Sequence, residues 1–174
     1  MEDLVPQLKK QDRRIQKELF ERVSSKMLGV CRSYTGDLHH AEDCMLKAFV
    51  KVFKNIESYE SKGSFEGWIR RIMVNECLDF LKLNKSFVYR EDSDWEEEMD
   101  FEQDLIGFDA QDLLDRLPEN YRVVFNLFVL EEYSHKEIAE SLKISESASR
   151  TQFARAKKKM KELIFQQKNI ANEN

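Results

Sequence analysis

Glycine and proline are scarce in this chain, five and two among 174 residues, and nothing in it supplies the regularly spaced turn signals of an all-β protein. With 35% charged residues between few tight turns, the composition predicts long helices and an all-α fold. Cysteine is sparse too. Cys31, Cys44 and Cys77 are an odd set with no C-x-x-C pair, which argues against a disulfide framework and fits a reducing compartment. A zinc site is the sharper alternative, because His40 and Cys44 lie four apart on an expected helix with His39 and Cys31 near by. That spacing falls short of a ligand signature, so no metal is expected. No apolar run approaches the roughly 20 residues of a membrane span. The polar start MEDLVPQLKKQDRR is no secretory signal, and a cytoplasmic protein without direct membrane insertion is expected. A Gly-rich phosphate loop, an H-E-x-x-H pair and a legible Ser, His and Asp set are also missing. The chain is therefore expected to have no catalytic residues, cofactor or small-molecule substrate.

What is present is apolar enough, at 41%, to build a core in one medium domain or two small ones. The formal net charge of −5 is unevenly spread. Residues 1–82 carry 15 basic and 13 acidic side chains, residues 83–108 carry 2 and 9, and residues 109–174 carry 11 and 11. The middle stretch, with REDSDWEEEMDFEQD at its heart, lacks periodicity and packs acids densely enough to repel one another. It reads as a linker, either a plain solvated tether or one that docks in a basic groove, the latter favoured by Trp95, Met99 and Phe101 among the acids.

Downstream, Leu113, Leu114 and Leu117 stand at helical spacing before Pro118, which stops that helix and can open the next. Tyr121, Val124, Phe125, Phe128 and Val129 then mark one face of a buried helix. Ser134 and Glu137 make an S-x-x-E capping box ahead of Ile138, Ala139 and Leu142. Ser145 caps the last helix only three residues after Leu142, a helix-turn-helix pattern whose second helix enters a major groove. Taking Ser149, Gln152, Phe153, Ala156 and Met160 as its inner side leaves Glu146, Ser147, Arg150, Thr151 and Arg155 on the outer side. Arg150 suits a two-bond contact to guanine, whereas Arg155, Lys157, Lys158 and Lys159 suit phosphates. A solvated basic face or a protein-docking module remains the plainer reading.

Upstream, residues 7–35 read as one long amphipathic helix striped by Leu8, Ile15, Leu19, Phe20, Val23, Met27 and Val30, with Gly36 as its stop and Asp37 as the next cap. The following helix lines up Cys44, Ala48, Val52 and Ile56, with Met45, Phe49 and Phe53 beside them. Its other face carries Glu42, Asp43, Lys47, Lys51 and Lys54. After the polar break ESYESKGS a third helix has a core stripe of Ile69, Ile72, Met73, Cys77 and Phe80. A second stripe holds Trp68, Arg71, Asn75 and Asp79. Next to Tyr59 and Lys62 those residues could stack and steer single-stranded bases, although on periodicity alone the core reading is the stronger one, Phe65 and Trp68 being more often core than base platforms.

The stretch AEDCMLKAFVKVFKNIESYESKGSFEGWIRRIMVNECLDFLK resembles the second conserved region of extracytoplasmic-function sigma factors, which read A-E-D-x-x-Q-E-x-F and then F-x-x-W-I-x-R-I-x-x-N-x-x-x-D. LLDRLPENYRVVFNLFVLEEYSHKEIAESLKISESASRTQFARAKKKMKEL resembles their fourth region, with L-P-x-x-x-R-x-V-F, S-x-x-E-I-A-x-x-L-x-I-S and a late R-A-x-x-x-[LM]. The resemblance implies an all-α protein of two small domains. Residues 1–82 would be region 2, 83–108 the acidic linker, 109–168 region 4 and 169–174 a tail.

It also implies a non-enzymatic subunit that brings core RNA polymerase, through its beta and beta-prime subunits, to promoter DNA. Glu42, Asp43, Leu46, Lys47, Phe49 and Lys51 would grip the polymerase clamp. Tyr59, Lys62, Ser64, Phe65, Trp68, Arg71 and Asn75 would capture the opened strand at the −10 element. Ser145, Glu146, Ser147, Arg150, Thr151, Arg155 and Lys158 would read the −35 duplex, while the linker would thread basic channels of the polymerase. Members are often held inactive by an anti-sigma factor, which adds a third kind of partner. Four departures from the pattern stand out: Leu46 and Lys47 replace Gln and Glu, Ser149 a usual Val, and Phe153 a usual Leu. The competing readings are a regulator with a C-terminal helix-turn-helix and an N-terminal sensor domain, and a metal-dependent nuclease built on the acidic run.

Overall fold

The computed structural model describes residues 1–83 and 110–172, with side chains up to residue 168. The acidic stretch from residue 84 and the side chains of the tail at 169–174 lie outside the described residues. The chain divides into two compact units, Met1–Asn84 and Lys85–Asn174. Among the described residues the regular elements are all helical, and no helix is long and apolar enough to cross a membrane.

In the first unit a 3-10 turn at Glu2–Leu4 leads into α1 (Val5–Lys9), α2 (Arg13–Thr35), α3 (Leu38–Lys54), a second 3-10 turn at Ile56–Ser58, and α4 (Phe65–Leu83). The single helix expected over 7–35 is therefore two. Gln11 takes a left-handed φ of 58°, and the Asp12 carboxylate accepts the Arg14 N–H at 2.8 Å, capping α2. A carboxylate that satisfies the first amides of a new helix competes with continuation of the old one. At its other end α2 stops where expected. Gly36 adopts φ 80°, a left-handed conformation that a side chain would penalise by about 1–2 kcal/mol. Asp37 then caps α3 by accepting the His40 N–H at 2.9 Å.

The stripes of α2, α3 and α4 meet in a closed core. Leu19, Met27, Cys44, Ala48, Val52, Ile69, Met73 and Cys77 are essentially inaccessible, each large aliphatic contributing about 1.5–3 kcal/mol by burial. All three thiols belong to it, one per helix. Cys31, Cys44 and Cys77 are each 0% exposed, and hydrogen bonding from Cys31 and Cys44 together with burial pushes the Cys77 thiol far up from its ordinary pKa. His39 and His40 stay exposed, so the residues of the zinc alternative point apart. Among the described residues no group of three or more His, Cys, Asp or Glu could hold a metal.

The second unit contains α5 (Ala110–Asp115), α6 (Glu119–Val129), α7 (His135–Leu142) and α8 (Glu146–Asn172). Pro118 occupies the cap position of α6. That helix is enclosed more completely than one stripe allows: every residue from Arg122 to Leu127 is buried, while Val129, expected inside, is 46% exposed at the helix end. A helix buried on every side, here with Arg122 and Asn126 among the buried residues, is a central element, and period counting on one face misassigns its last turn. The Ser134–Glu137 capping box forms as expected, and Ser145 Oγ accepts the Ala148 N–H at 3.0 Å at the start of α8. Lys143, at φ 57°, makes the tight turn between α7 and α8. Leu113, Leu114, Leu117 and Phe125 close on Ala156, Met160, Leu163 and Ile164, so the long last helix is anchored along most of its length.

Candidate nucleic-acid interface

The outer face of α8 is short and defined. Ser147, Arg150 and Lys158 are exposed and lie at steps of three and eight residues, with Arg155 half-buried at the edge. Ser145 and Glu146 are exposed at the start of the helix. Arg150 Nη2 donates to Glu146 Oε1 at 2.6 Å, one turn back, so the candidate base-reading guanidinium is already held by a carboxylate. Lys157 Nζ sits 5.1 Å from the centroid of Phe153. Thr151 departs from expectation: it is only 6% exposed, on the flank of the helix where the packed face begins, and offers no surface to a groove.

A second surface surrounds the loop between α3 and α4. Tyr59 and Phe65 are 4% and 0% exposed. Their rings lie 5.0 Å apart, and Trp68, half-buried, stacks on Phe65 at 5.8 Å and 16° and meets Tyr59 at 5.6 Å. These aromatics form a brace under the loop, and Tyr59 and Phe65 expose almost no surface on which a base could stack. The Tyr59 hydroxyl donates to the Gly63 carbonyl at 2.9 Å, where Gly63 turns with φ 86°. Ser64 Oγ accepts the Gly67 N–H at 3.0 Å and caps α4. What reaches solvent is Lys62, Ser64, Arg71 and Asn75, with Lys62 2.6 Å from Glu60.

Three residues that sequence reasoning missed hold this loop from the N-terminal segment. Glu2 Oε1 accepts the Phe65 N–H at 3.1 Å, a bond that keeps the Glu2 carboxyl below its usual pKa. Lys9 Nζ donates to the Tyr59 carbonyl at 3.5 Å and lies 3.8 Å from Glu57. Gln11 Nε2 donates to the Phe53 carbonyl at 3.1 Å. The available signal was the apolar set Leu4, Val5 and Leu8, all buried, which seats the segment.

A third surface is the outer face of α3. Glu42, Asp43, Leu46, Lys47 and Lys51 are exposed on it as expected. Phe49 is not: it is 2% exposed and packs on Phe20 at 4.8 Å and Phe53 at 6.0 Å, because its position completes the inner stripe. Lys51 reaches across to α4, 2.5 Å from Glu76 and 3.7 Å from Asp79, and Glu76 raises its pKa above the ordinary value. Leu46 and Val50, one turn apart, are 51% and 50% exposed and put an apolar pair among the charges. Val50 went unnoticed in the sequence because a lone valine beside a core stripe counts as core.

Residues 19–87 match the family described as Sigma-70 region 2, and residues 108–160 match Sigma-70, region 4. The chain is 26% identical over 156 residues to the ECF RNA polymerase sigma factor SigE of Mycolicibacterium smegmatis, covering 84% of this chain but only 60% of that protein. It is 25% identical over 177 residues to the ECF RNA polymerase sigma factor SigW of Bacillus subtilis, covering 92% of this chain and 94% of SigW. For SigM of the same organism the identity is 24%, with 84% and 93% covered. The fold is similar to that of the sigma factor RpoE of Bartonella quintana, solved with the anti-sigma factor NepR, at TM-score 0.53 and 18% identity over 85% of this chain and 95% of that one. CnrH, solved with the cytosolic domain of CnrY, gives TM-score 0.50 and 20% identity, covering 92% of this chain and 94% of that one.

Proposed function

Because the chain belongs to the extracytoplasmic-function group of the sigma-70 family, we propose that it binds core RNA polymerase and directs promoter-specific initiation of transcription. The observation that carries this reading is the pairing of two compact helical units with the two sigma-70 regions, in order, in one chain. A regulator built on a helix-turn-helix alone would leave the first unit unexplained. Sigma factors as a class are not catalysts, and this one acts by binding energy within the cytoplasm. Its residues 1–82 serve as region 2, 109–168 as region 4, and 83–108 as the acidic connection.

The roles divide by surface. Glu42, Asp43, Leu46, Lys47 and Lys51 on α3 meet the polymerase, with Phe49 seating the helix from beneath. Ser147, Arg150, Arg155 and Lys158, with Ser145 and Glu146 at the helix start, meet the −35 duplex, where phosphate contacts fix register and Arg150 supplies sequence information. Lys62, Ser64, Arg71 and Asn75 take hold of the unpaired strand at the −10 element, above the Tyr59, Phe65 and Trp68 brace. Extruding a base costs a few kcal/mol, which pocket contacts must offset; a loop held in shape before the strand arrives loses less entropy on binding. The anti-sigma factor described with the Bartonella quintana protein points to a partner of that kind here as well.

Run-off transcription from a promoter library with purified core polymerase tests the proposal. Defined start sites should appear only when this protein is added. A competent core that yields no promoter-specific transcript with it would refute the reading, whereas tight binding of paired half-sites by the protein alone would favour the regulator.

A further inference from the structure

Ser149 is a polar residue inside the second unit, and the structure gives it a partner. It is 0% exposed on the inner side of α8, and its Oγ lies 2.9 Å from Nδ1 of His135. His135 is the first residue of α7, directly after the Ser134 cap. Its ring stacks on Phe128 of α6, with centroids 4.6 Å apart and planes 22° from parallel, and meets Phe153 of α8 at 5.7 Å and 60°. Phe128 and Phe153 themselves approach to 4.3 Å. One imidazole thus touches α6, α7 and α8 where they frame the turn.

We propose that His135 is a positioning residue for duplex reading, pinning α8 through Ser149 and the Phe128–Phe153 pair so that Ser147, Arg150 and Lys158 meet the upstream element at a fixed angle. The inference rests on the reading of α8 as the helix that enters that element. Ser149 is the residue immediately before Arg150, so any rotation of α8 that breaks the Ser149–His135 contact moves the guanidinium as well. A turn of about 10° carries a group roughly 6 Å from the helix axis through about 1 Å. That is enough to misalign a two-bond contact with guanine.

Ser149 Oγ can bond Nδ1 in either charge state of the ring, so it is the burial and the neighbouring cations, not the hydrogen bond, that disfavour the imidazolium. Glu146, Arg150 and Lys157 of α8 act on it, Lys136 and Glu137 flank it on α7, and α6 presents Phe128. Partial burial, then Arg150, with Lys157 adding to them, outweigh Glu146 and hold the pKa of His135 below its ordinary value. An imidazolium there would sit half-buried beside two cations.

The test uses holoenzyme assembled from the full chain and core polymerase, and as probe a duplex carrying the upstream element of a promoter recovered by the run-off selection. Affinity is measured between pH 7.5 and 5.5 for wild type, His135→Gln, Ser149→Val and Ser149→Thr, with a scrambled upstream element as control. Wild type should lose affinity several-fold on acidification. His135→Gln should be several-fold weaker at pH 7.5 and flat with pH. Ser149→Val should lose discrimination between cognate and scrambled duplex several-fold while binding core as wild type does, and Ser149→Thr, which keeps the hydroxyl, should recover it. Circular dichroism identifies any variant that fails to fold, leaving the wild-type and Ser149→Thr pH profiles to decide. A wild-type affinity that rises on acidification would make His135 a phosphate contact and overturn the proposal. So would wild-type behaviour of both His135→Gln and Ser149→Val. Wild type that ignores scrambling of the upstream element would instead defeat the reading of α8 itself, and this inference with it.

Discussion

Arg150 enters the free protein already paired, 2.6 Å from Glu146 on the exposed face of α8. An exposed pair at this spacing contributes about 0.3–0.5 kcal/mol to the helix, whereas a two-bond contact to guanine gives about 1–3 kcal/mol of discrimination. The guanine contact outweighs the ion pair and so decides the outcome of substitution. Arg150→Ala should leave thermal stability nearly unchanged and relax base selection at one position of the upstream element by roughly tenfold. Arg150→Lys should keep most non-specific affinity and lose the same selection, since an ammonium lacks the planar fork. Competition between holoenzyme binding to cognate duplexes and to single-base variants reads both. A uniform loss across all sequences would make Arg150 a phosphate contact. Stability has its own residue-scale signature at His135. Its folded pKa lies below the unfolded value of about 6.5, so below that pH the unfolded chain takes up the proton first. This part of the stability is therefore complete above pH 6.5 and falls as the pH drops toward the folded pKa. Urea titrations at pH 7.5 and 5.5 should show a smaller acid loss in His135→Gln than in wild type.

At the scale of elements, the loop from Tyr59 to Ser64 is fixed at both ends by a segment more than forty residues away in sequence, through Lys9 at its start and Glu2 on the first amide of α4. Losing this carboxylate leaves the first amide of α4 without its acceptor, a small change for the whole fold but one concentrated at the loop proposed to take the unpaired strand. Glu2→Ala should therefore slow opening of duplex promoters a few-fold, bind core normally, and recover on templates already melted at the −10 element. Equal defects on both templates would show that Glu2 matters only to folding. None of these contacts was legible in the sequence, because a hydrogen bond between residues 2 and 65 leaves no local pattern. The caps at Asp37, Ser134 and Ser145 were legible, since each is short-range chemistry between a side chain and an amide two or three residues on. The core stripes were legible for the same reason of local period. The break before Arg13 was hidden, because Leu8 and Ile15 stay seven apart and in phase across it. Resemblance assigned roles by position and carries no information on which way a side chain turns, so it could not show that Phe49, Tyr59, Phe65 and Thr151 are buried.

For the molecule as a whole, the distribution of charge and of cysteine gives the two units separate identities. The excess of acid lies in residues 83–108, so the first unit and the basic last helix can meet polyanionic DNA despite a net charge of −5. Each unit also encloses its own apolar cluster, the first from α2, α3 and α4 and the second from α5, α6 and α8. A unit of about 80 residues with one continuous core can fold by itself. All three thiols belong to the first, each 0% exposed, so their reaction with a thiol reagent requires that unit to open. A fragment of residues 1–84 should accordingly protect Cys31, Cys44 and Cys77 as well as the full chain does, with labelling rates within about twofold of each other and orders of magnitude below those in strong urea. Labelling of the fragment at the unfolded rate, with the full chain protected, would mean that the first unit depends on the second for its stability.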